Sequence, residues 1–247
     1  MQQEQFKYST SVIAYPILFV LTIWIVFWVE FRFGVDLKNY GVRPRTFIGL
    51  LGIVFSPFLH SSMEHLYHNS MPLLVLSAAL FYFYRKISWH VIIWGILLSG
   101  FLTWCIGRPA NHIGASGLIY VLMSFTLFKG IFSRHYRLIA LSLIVVFLYG
   151  SMIWYVFPIK EQMSWEGHLS GLIVGLIFAI VFRKSIAKPL KYDWEKEDYN
   201  EDNDPFLKHF DEDGNFIETL VEEENEDIEK KQSSVKITYH IKPKKDT

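Results

Sequence analysis

Two short stretches carry the reactive groups of this 247-residue chain: Gly114-Ala115-Ser116-Gly117 and Gly167-His168-Leu169-Ser170-Gly171. A serine hydroxyl is a poor nucleophile until a neighbouring base takes its proton. Histidine suits that task near neutral pH, and the glycines around His168 let its helix approach Ser116 closely. A third stretch runs from His60 to Asn69, His-Ser-Ser-Met-Glu-His-Leu-Tyr-His-Asn. His65 and Asn69 are four apart and share one helix face, so both can donate to one developing oxyanion. Ser116 opens a helix, where free backbone N–H groups and the positive end of the dipole add to that stabilisation. No acidic residue is placed to orient His168, so the arrangement is a dyad. A zinc protease helix does not fit, because His60, Glu64, His65 and His68 match neither H-E-x-x-H nor H-x-x-E-H. Aspartyl chemistry does not fit either: residues 1–190 hold one aspartate, Asp36. Serine chemistry is the one reaction whose parts are all present. Each part also has a structural explanation. Gly-x-Ser-Gly and the Gly167, Gly171, Gly175 run can serve helix packing alone, and a histidine at the end of a span can simply face water.

The elements that must position these groups are membrane helices. Hydrophobic residues make up 51% of the chain and charged residues 19%. The zero net charge hides a split. Residues 1–190 hold 15 Lys/Arg and 6 Asp/Glu, whereas residues 191–247 hold 9 Lys/Arg and 18 Asp/Glu. An apolar, basic body with an acidic tail excludes a water-soluble globule and a nucleic-acid binder with one broad basic face. Six stretches approach the roughly 20 apolar residues that a span needs: 12–31, 66–84, 89–106, 117–132, 138–159 and 169–182. The stretch 47–59 is too short and holds Gly49, Gly52 and Pro57, which suits a re-entrant or interfacial segment. The first stretch reads as a retained helix, since its apolar run is too long for a signal peptide and no small-x-small site follows.

Loop cations set the direction. With the N-terminus inside, ten cations lie inside and six outside, which predicts cytoplasmic termini, with residues 1–11 a cytoplasmic N-terminus and 12–190 the membrane domain. Parity adds a stronger inference. Spans two, four and six run the same way, and each polar stretch opens one of them. His65, Asn69, Ser116 and His168 therefore share one side of the membrane, where they can line one pocket. Ser61 with Glu64 matches a capping box, which starts the second span at Ser62. The acidic tail, 191–247, is predicted to be solvated and partly disordered, with a turn at Asp213-Gly214 and strand-like alternation over 234–242. Cys105 is the one cysteine, so no intrachain disulfide is available.

The full pattern resembles the rhomboid family of intramembrane serine proteases over about residues 10–185. The likeness rests on His60-x4-His65-x3-Asn69, Gly114-Ala115-Ser116-Gly117 with Tyr120, and Gly167-His168-x2-Gly171-x3-Gly175, in order and in the expected spans. It implies an all-α bundle of six transmembrane helices with a site sunk below the outer surface. It implies Ser116 as nucleophile and His168 as general base, with Tyr120 packing beside the histidine. His65, Asn69 and the Ser116 N–H would form the oxyanion site, and His60 would support the start of the second helix. Gly114, Gly117, Gly171 and Gly175 would be supporting positions. The chain departs from many members in lacking a Trp-Arg pair in the first outer loop, where Arg43-Pro44-Arg45 stands, and in having Gly167 in place of alanine. With no seventh helix, the pattern is the basic bacterial form in the inner cell membrane. The expected partners are single-span membrane substrates and the lipid bilayer, without nucleic acid, metal or cofactor. A catalytically inactive client-binding relative is the alternative, disfavoured because Ser116 and His168 are both present. A small transporter would need broken helices at the membrane midplane, whereas these polar stretches sit at helix ends.

Overall fold

A computed structural model describes residues 8–133, 135–160, 163–183, 192, 194, 196–211 and 213–217. The chain divides into two compact units, residues 1–190 and 191–247. The first holds seven helices among its described residues: α1 (Ser11–Phe33), α2 (Phe47–Phe55), α3 (Met63–Phe83), α4 (Ser88–Ile106), α5 (Ser116–Ser133), α6 (Tyr136–Tyr149) and α7 (Trp165–Val181). Backbone polar groups must be satisfied within the segment inside lipid, and this all-α architecture meets that demand. Among the described residues five segments are long and apolar enough to cross a membrane: Ser11–Phe33, Met63–Phe83, Arg85–Ile106, Ser116–Ser133 and Tyr136–Val156. The last of these includes a 3-10 turn, Gly150–Val156, that continues α6. The sixth predicted span, α7, is 17 residues long. At 1.5 Å per residue it reaches about 26 Å, near the lower limit for crossing the hydrocarbon core.

The short stretch 47–59 forms α2 followed by a 3-10 turn, Ser56–Phe58. The Thr46 hydroxyl caps it by accepting from the Gly49 N–H at 3.1 Å. Gly49, Gly52 and Ile53 face inward while Phe47, Ile48, Leu51 and Val54 are exposed. At the start of α3 the capping residue is Ser62, whose hydroxyl accepts from the His65 N–H at 3.1 Å, so the helix begins at Met63. The expected Ser61 capping box is therefore displaced by one residue. Ser61 is released for another contact, described below.

α5 lies at the centre and packs on α3, α4, α6 and α7, whereas α1 packs mainly against α3. Leu118, Ile119, Leu122 and Phe125 of α5 join Leu73 and Leu76 of α3 in the core. α7 comes close enough to α5 that a Cβ on Gly171 would strike the Gly117 carbonyl oxygen, and one on Gly175 the Val121 carbonyl oxygen. Small residues permit this approach of backbones. Hydroxyls then satisfy carbonyls across the helix interfaces: Ser124 Oγ donates to the Leu172 carbonyl at 2.7 Å, and Ser142 Oγ to the Leu127 carbonyl at 2.9 Å. Lys129, fully buried on α5, donates to the Phe182 carbonyl at the end of α7.

In the second unit, Phe210 and Phe216 form an antiparallel bridge around Gly214, which has φ +81. Asp211 Oδ1 accepts from the Asp213 and Asn215 N–H groups at 3.0 and 2.7 Å, forming the turn expected at Asp213-Gly214. The predicted strand over 234–242 lies outside the described residues.

Candidate active site

The geometry starts at Gly114. Its φ of +111 is open to glycine and strained for other residues, and its N–H donates to the Ser56 carbonyl at 2.8 Å. A Cβ at this position would lie 2.7 Å from His65 Nε2 and 3.6 Å from Asn69 Nδ2. The side chains of both α3 residues thus converge on the backbone two residues before Ser116. Asn69 is buried and uses one amide hydrogen on the His65 carbonyl at 3.0 Å. An amide nitrogen carries two hydrogens, so one remains for another acceptor. Ser61 Oγ lies 3.1 Å from His65 Nδ1. His60 is buried and its ring meets the His65 ring edge-on, with centroids 5.0 Å apart. Burial, reinforced by the nearby His65, holds the His60 imidazole down at about 4. It is therefore neutral at pH 7 and packs as an aromatic support. His68 is exposed.

Ser116 is the first residue of α5 and half-buried. The opening N–H groups of a helix have no intrahelical acceptor, so the groups around Ser116 face forward with the positive end of the dipole. His168 is buried on α7, its ring stacked on Tyr120 at 4.3 Å and 11°. Tyr120 is itself fixed by its hydroxyl, which donates to the Met152 carbonyl at 2.6 Å. His168 Nδ1 lies 2.8 Å from the Tyr155 carbonyl oxygen. A carbonyl only accepts, so Nδ1 carries the hydrogen and Nε2 keeps the lone pair that a base requires. No hydrogen bond joins Ser116 to His168 among the described residues. A cavity of about 40 Å³ beside Ser116 has a mixed lining, with Ser56, Ser99, Thr103 and Ser164 on its polar part and Ile96 and Leu118 on its apolar part. A space of that size with several polar groups on its wall accommodates water.

The sequence reading missed His112, Ser164 and Glu166. His112 is buried two residues before Gly114, and Glu166 is buried two residues before His168. A charged residue at the head of an apolar run was a visible signal for Glu166. The Tyr155 carbonyl had no signal at all, because any residue presents one. Among the described residues no group of three or more His, Cys, Asp or Glu is arranged to hold a metal.

A helical membrane bundle in which the starts of three helices gather a serine, two histidines and an asparagine defines a polytopic membrane protein with a polar site at one end. The chain belongs to the rhomboid family: a model of the rhomboid domain matches residues 49–185. It is 38% identical over 172 residues to uncharacterised proteins of Mycobacterium bovis and Mycobacterium tuberculosis, covering 65% of this chain and 71% of theirs. An uncharacterised protein of Mycobacterium leprae is 37% identical over 155 residues, covering 58% of this chain and 61% of its own.

Proposed function

We propose that the protein is an intramembrane serine endopeptidase that cuts single-span membrane proteins near the outer face of the inner membrane, with both its own termini cytoplasmic. In this reading His168 Nε2 takes the proton from Ser116 Oγ as the oxygen attacks the scissile carbonyl. The resulting oxyanion is held by the Ser116 N–H, His65 Nε2 and the free amide hydrogen of Asn69. His168 then gives its proton to the departing amine. Water enters from the adjacent cavity, loses a proton to His168 and releases the acyl group from Ser116. Tyr120 and the Tyr155 carbonyl hold the imidazole ring and its tautomer, the task an aspartate performs in a triad. No metal or cofactor takes part.

One observation carries the reading: His65 and Asn69 converge on Gly114 beside Ser116, an arrangement that a purely packing role for the glycines does not require. The test is covalent labelling of the purified protein by a fluorophosphonate, together with cleavage of a co-expressed single-span substrate. Wild type labels and cleaves, and Ser116→Ala does neither. An unlabelled, folded wild type that still binds such clients would favour the inactive client-binding alternative.

A further inference from the structure

The loop between α4 and α5 carries Gly114 and leads into Ser116, while α7 carries His168. α5 packs directly on α7, and the proposed reaction also needs the loop before Ser116 in register with the start of α7. Among the described residues, side-chain links cross between them at Arg108 and at His112. Arg108, just after α4, donates its backbone N–H to Glu166 Oε1 at 3.2 Å, and its Nε lies 3.8 Å from the same oxygen. The Arg108 guanidinium also donates to the Met163 carbonyl at 2.8 Å. Four residues on, His112 Nε2 lies 3.1 Å from the Arg108 carbonyl, and His112 Nδ1 lies 2.6 Å from Ser164 Oγ.

The hydrogens follow from these partners. A carbonyl only accepts, so His112 Nε2 is the donor, and in the neutral ring Nδ1 accepts from the Ser164 hydroxyl. Burial holds the His112 imidazole below its ordinary range, against the opposing pull of its hydrogen bond to the Arg108 carbonyl and of the Glu166 charge. His112 is also paired through its backbone to Val42, by reciprocal N–H···O bonds of 2.9 Å. The loop is thereby fixed on one side to the segment before α2 and on the other to the first turn of α7. Glu166 is 1% exposed, and among the described residues its Oε2 has no hydrogen-bond partner. Removing one partner of a buried ion pair leaves the other uncompensated, so the Glu166 carboxylate depends on Arg108 at this junction.

We propose that Arg108–Glu166 and His112–Ser164 form a clasp that holds the nucleophile loop in register with the base helix, making these four positioning residues for the hydrolysis. The proposal rests on the serine reading. None of the four needs to touch substrate. They act through Ser116 and His168, so loosening them changes the turnover step and spares binding.

The experiment compares purified full-length wild type with Glu166→Gln, Arg108→Gln, their double variant, and Ser164→Ala. Steady-state cleavage of one single-span substrate, the rate of fluorophosphonate labelling of Ser116 and thermal melting are measured on each. Small misplacements of reacting groups can cost up to about 10²-fold. On that scale Glu166→Gln and Arg108→Gln should each lower kcat about tenfold and Ser164→Ala about threefold, with KM within about twofold. Labelling should slow in parallel with kcat. The double variant should be no worse than the poorer single one, since both residues serve one link. If either ion-pair variant fails to fold, Ser164→Ala carries the test, because it removes one hydroxyl and leaves the charges in place. Folded variants with wild-type kcat and labelling, or with losses confined to KM, would overturn the clasp alone. A wild type that neither labels nor cleaves would overturn the serine reading and the clasp with it.

Discussion

α1 and α5 are both apolar helices long enough to cross a membrane, yet they are used in opposite ways. α1 has the highest mean hydropathy of the five candidate spans and the smallest buried share, 17% of its apolar stretch. α5 is less hydropathic and has 61% of its apolar stretch buried. In water the most apolar helix would be the most buried. Here the order inverts, because lipid tails are as apolar as leucine and give helices no hydrophobic reason to associate. What draws helices together is close packing and polar contact. α5 supplies both through Gly117, Ser124 and Lys129 against α7, whereas α1 presents Leu18, Leu21, Ile25 and Trp28 outward. The polar groups are accordingly concentrated where the helices meet, and the candidate site is built there.

The largest expected effect is at that junction. Under the proposed chemistry Ser116→Ala and His168→Ala each abolish cleavage while leaving the protein folded. Cleavage of one model substrate and melting in the same detergent check this. A Ser116→Ala protein that cuts at the wild-type rate would sink the serine mechanism.

The next effect grades the oxyanion donors on α3. Asn69→Ala and His65→Ala should each lower kcat by about 10²–10³, or roughly 3–4 kcal/mol, with little change in KM. The Ser116 N–H survives either change, so activity falls without vanishing. His68 is exposed and one residue off the shared face, so His68→Ala should be much milder. Equal damage from His68→Ala and Asn69→Ala in folded proteins would disprove the assignment.

These groups were legible in the sequence because polar residues are conspicuous in apolar runs, and because parity alone puts the starts of spans two, four and six on one side. The spans themselves stood out for the same reason. What did not show is what depends on the folded path. Ser61 and Ser62 are chemically identical caps, and the backbone at Ser62 decides between them. The orienting partner of His168 is a main-chain carbonyl, that of Tyr155, which carries no side-chain signature. Arg108 and Glu166 are far apart in the chain, and only the packing of α4 beside α7 brings them together.

A third prediction tests the close approach of α5 and α7 without touching chemistry. Gly175 lies well along α7 from His168, and a Cβ there would overlap the Val121 carbonyl and approach the Ser124 Cβ to 2.7 Å. Gly175→Val should therefore push the helices apart and cost about 1–3 kcal/mol, as overpacking does elsewhere. The readout is a fall in melting temperature of about 2–4 °C per kcal/mol. An unchanged melt would mean that α7 can shift freely along α5, contrary to the packing described.

The smallest effects belong to α1 and separate its polar contact from its apolar face. Trp24 Nε1 donates to Ser70 Oγ on α3 at 2.9 Å, a tie across the α1–α3 interface. Trp24→Phe keeps an aromatic ring and removes that donor. Hydrogen bonds between membrane helices average about 0.6 kcal/mol, so the melting temperature should fall by about 1–2 °C. Leu21, half exposed on the outer side of the same helix, makes no such tie. In a soluble core, Leu→Ala costs about 2–5 kcal/mol, largely because a cavity remains. At a lipid-facing position lipid or detergent chains flow into the space and no cavity persists. Leu21→Ala should then stay within about 0.5 kcal/mol of wild type, a melting shift no larger than that of Trp24→Phe. Melting curves for the two variants in one detergent decide the matter. A Leu21→Ala loss as large as that of Gly175→Val would mean that this face of α1 is covered by protein, and the contrast between α1 and α5 would fail.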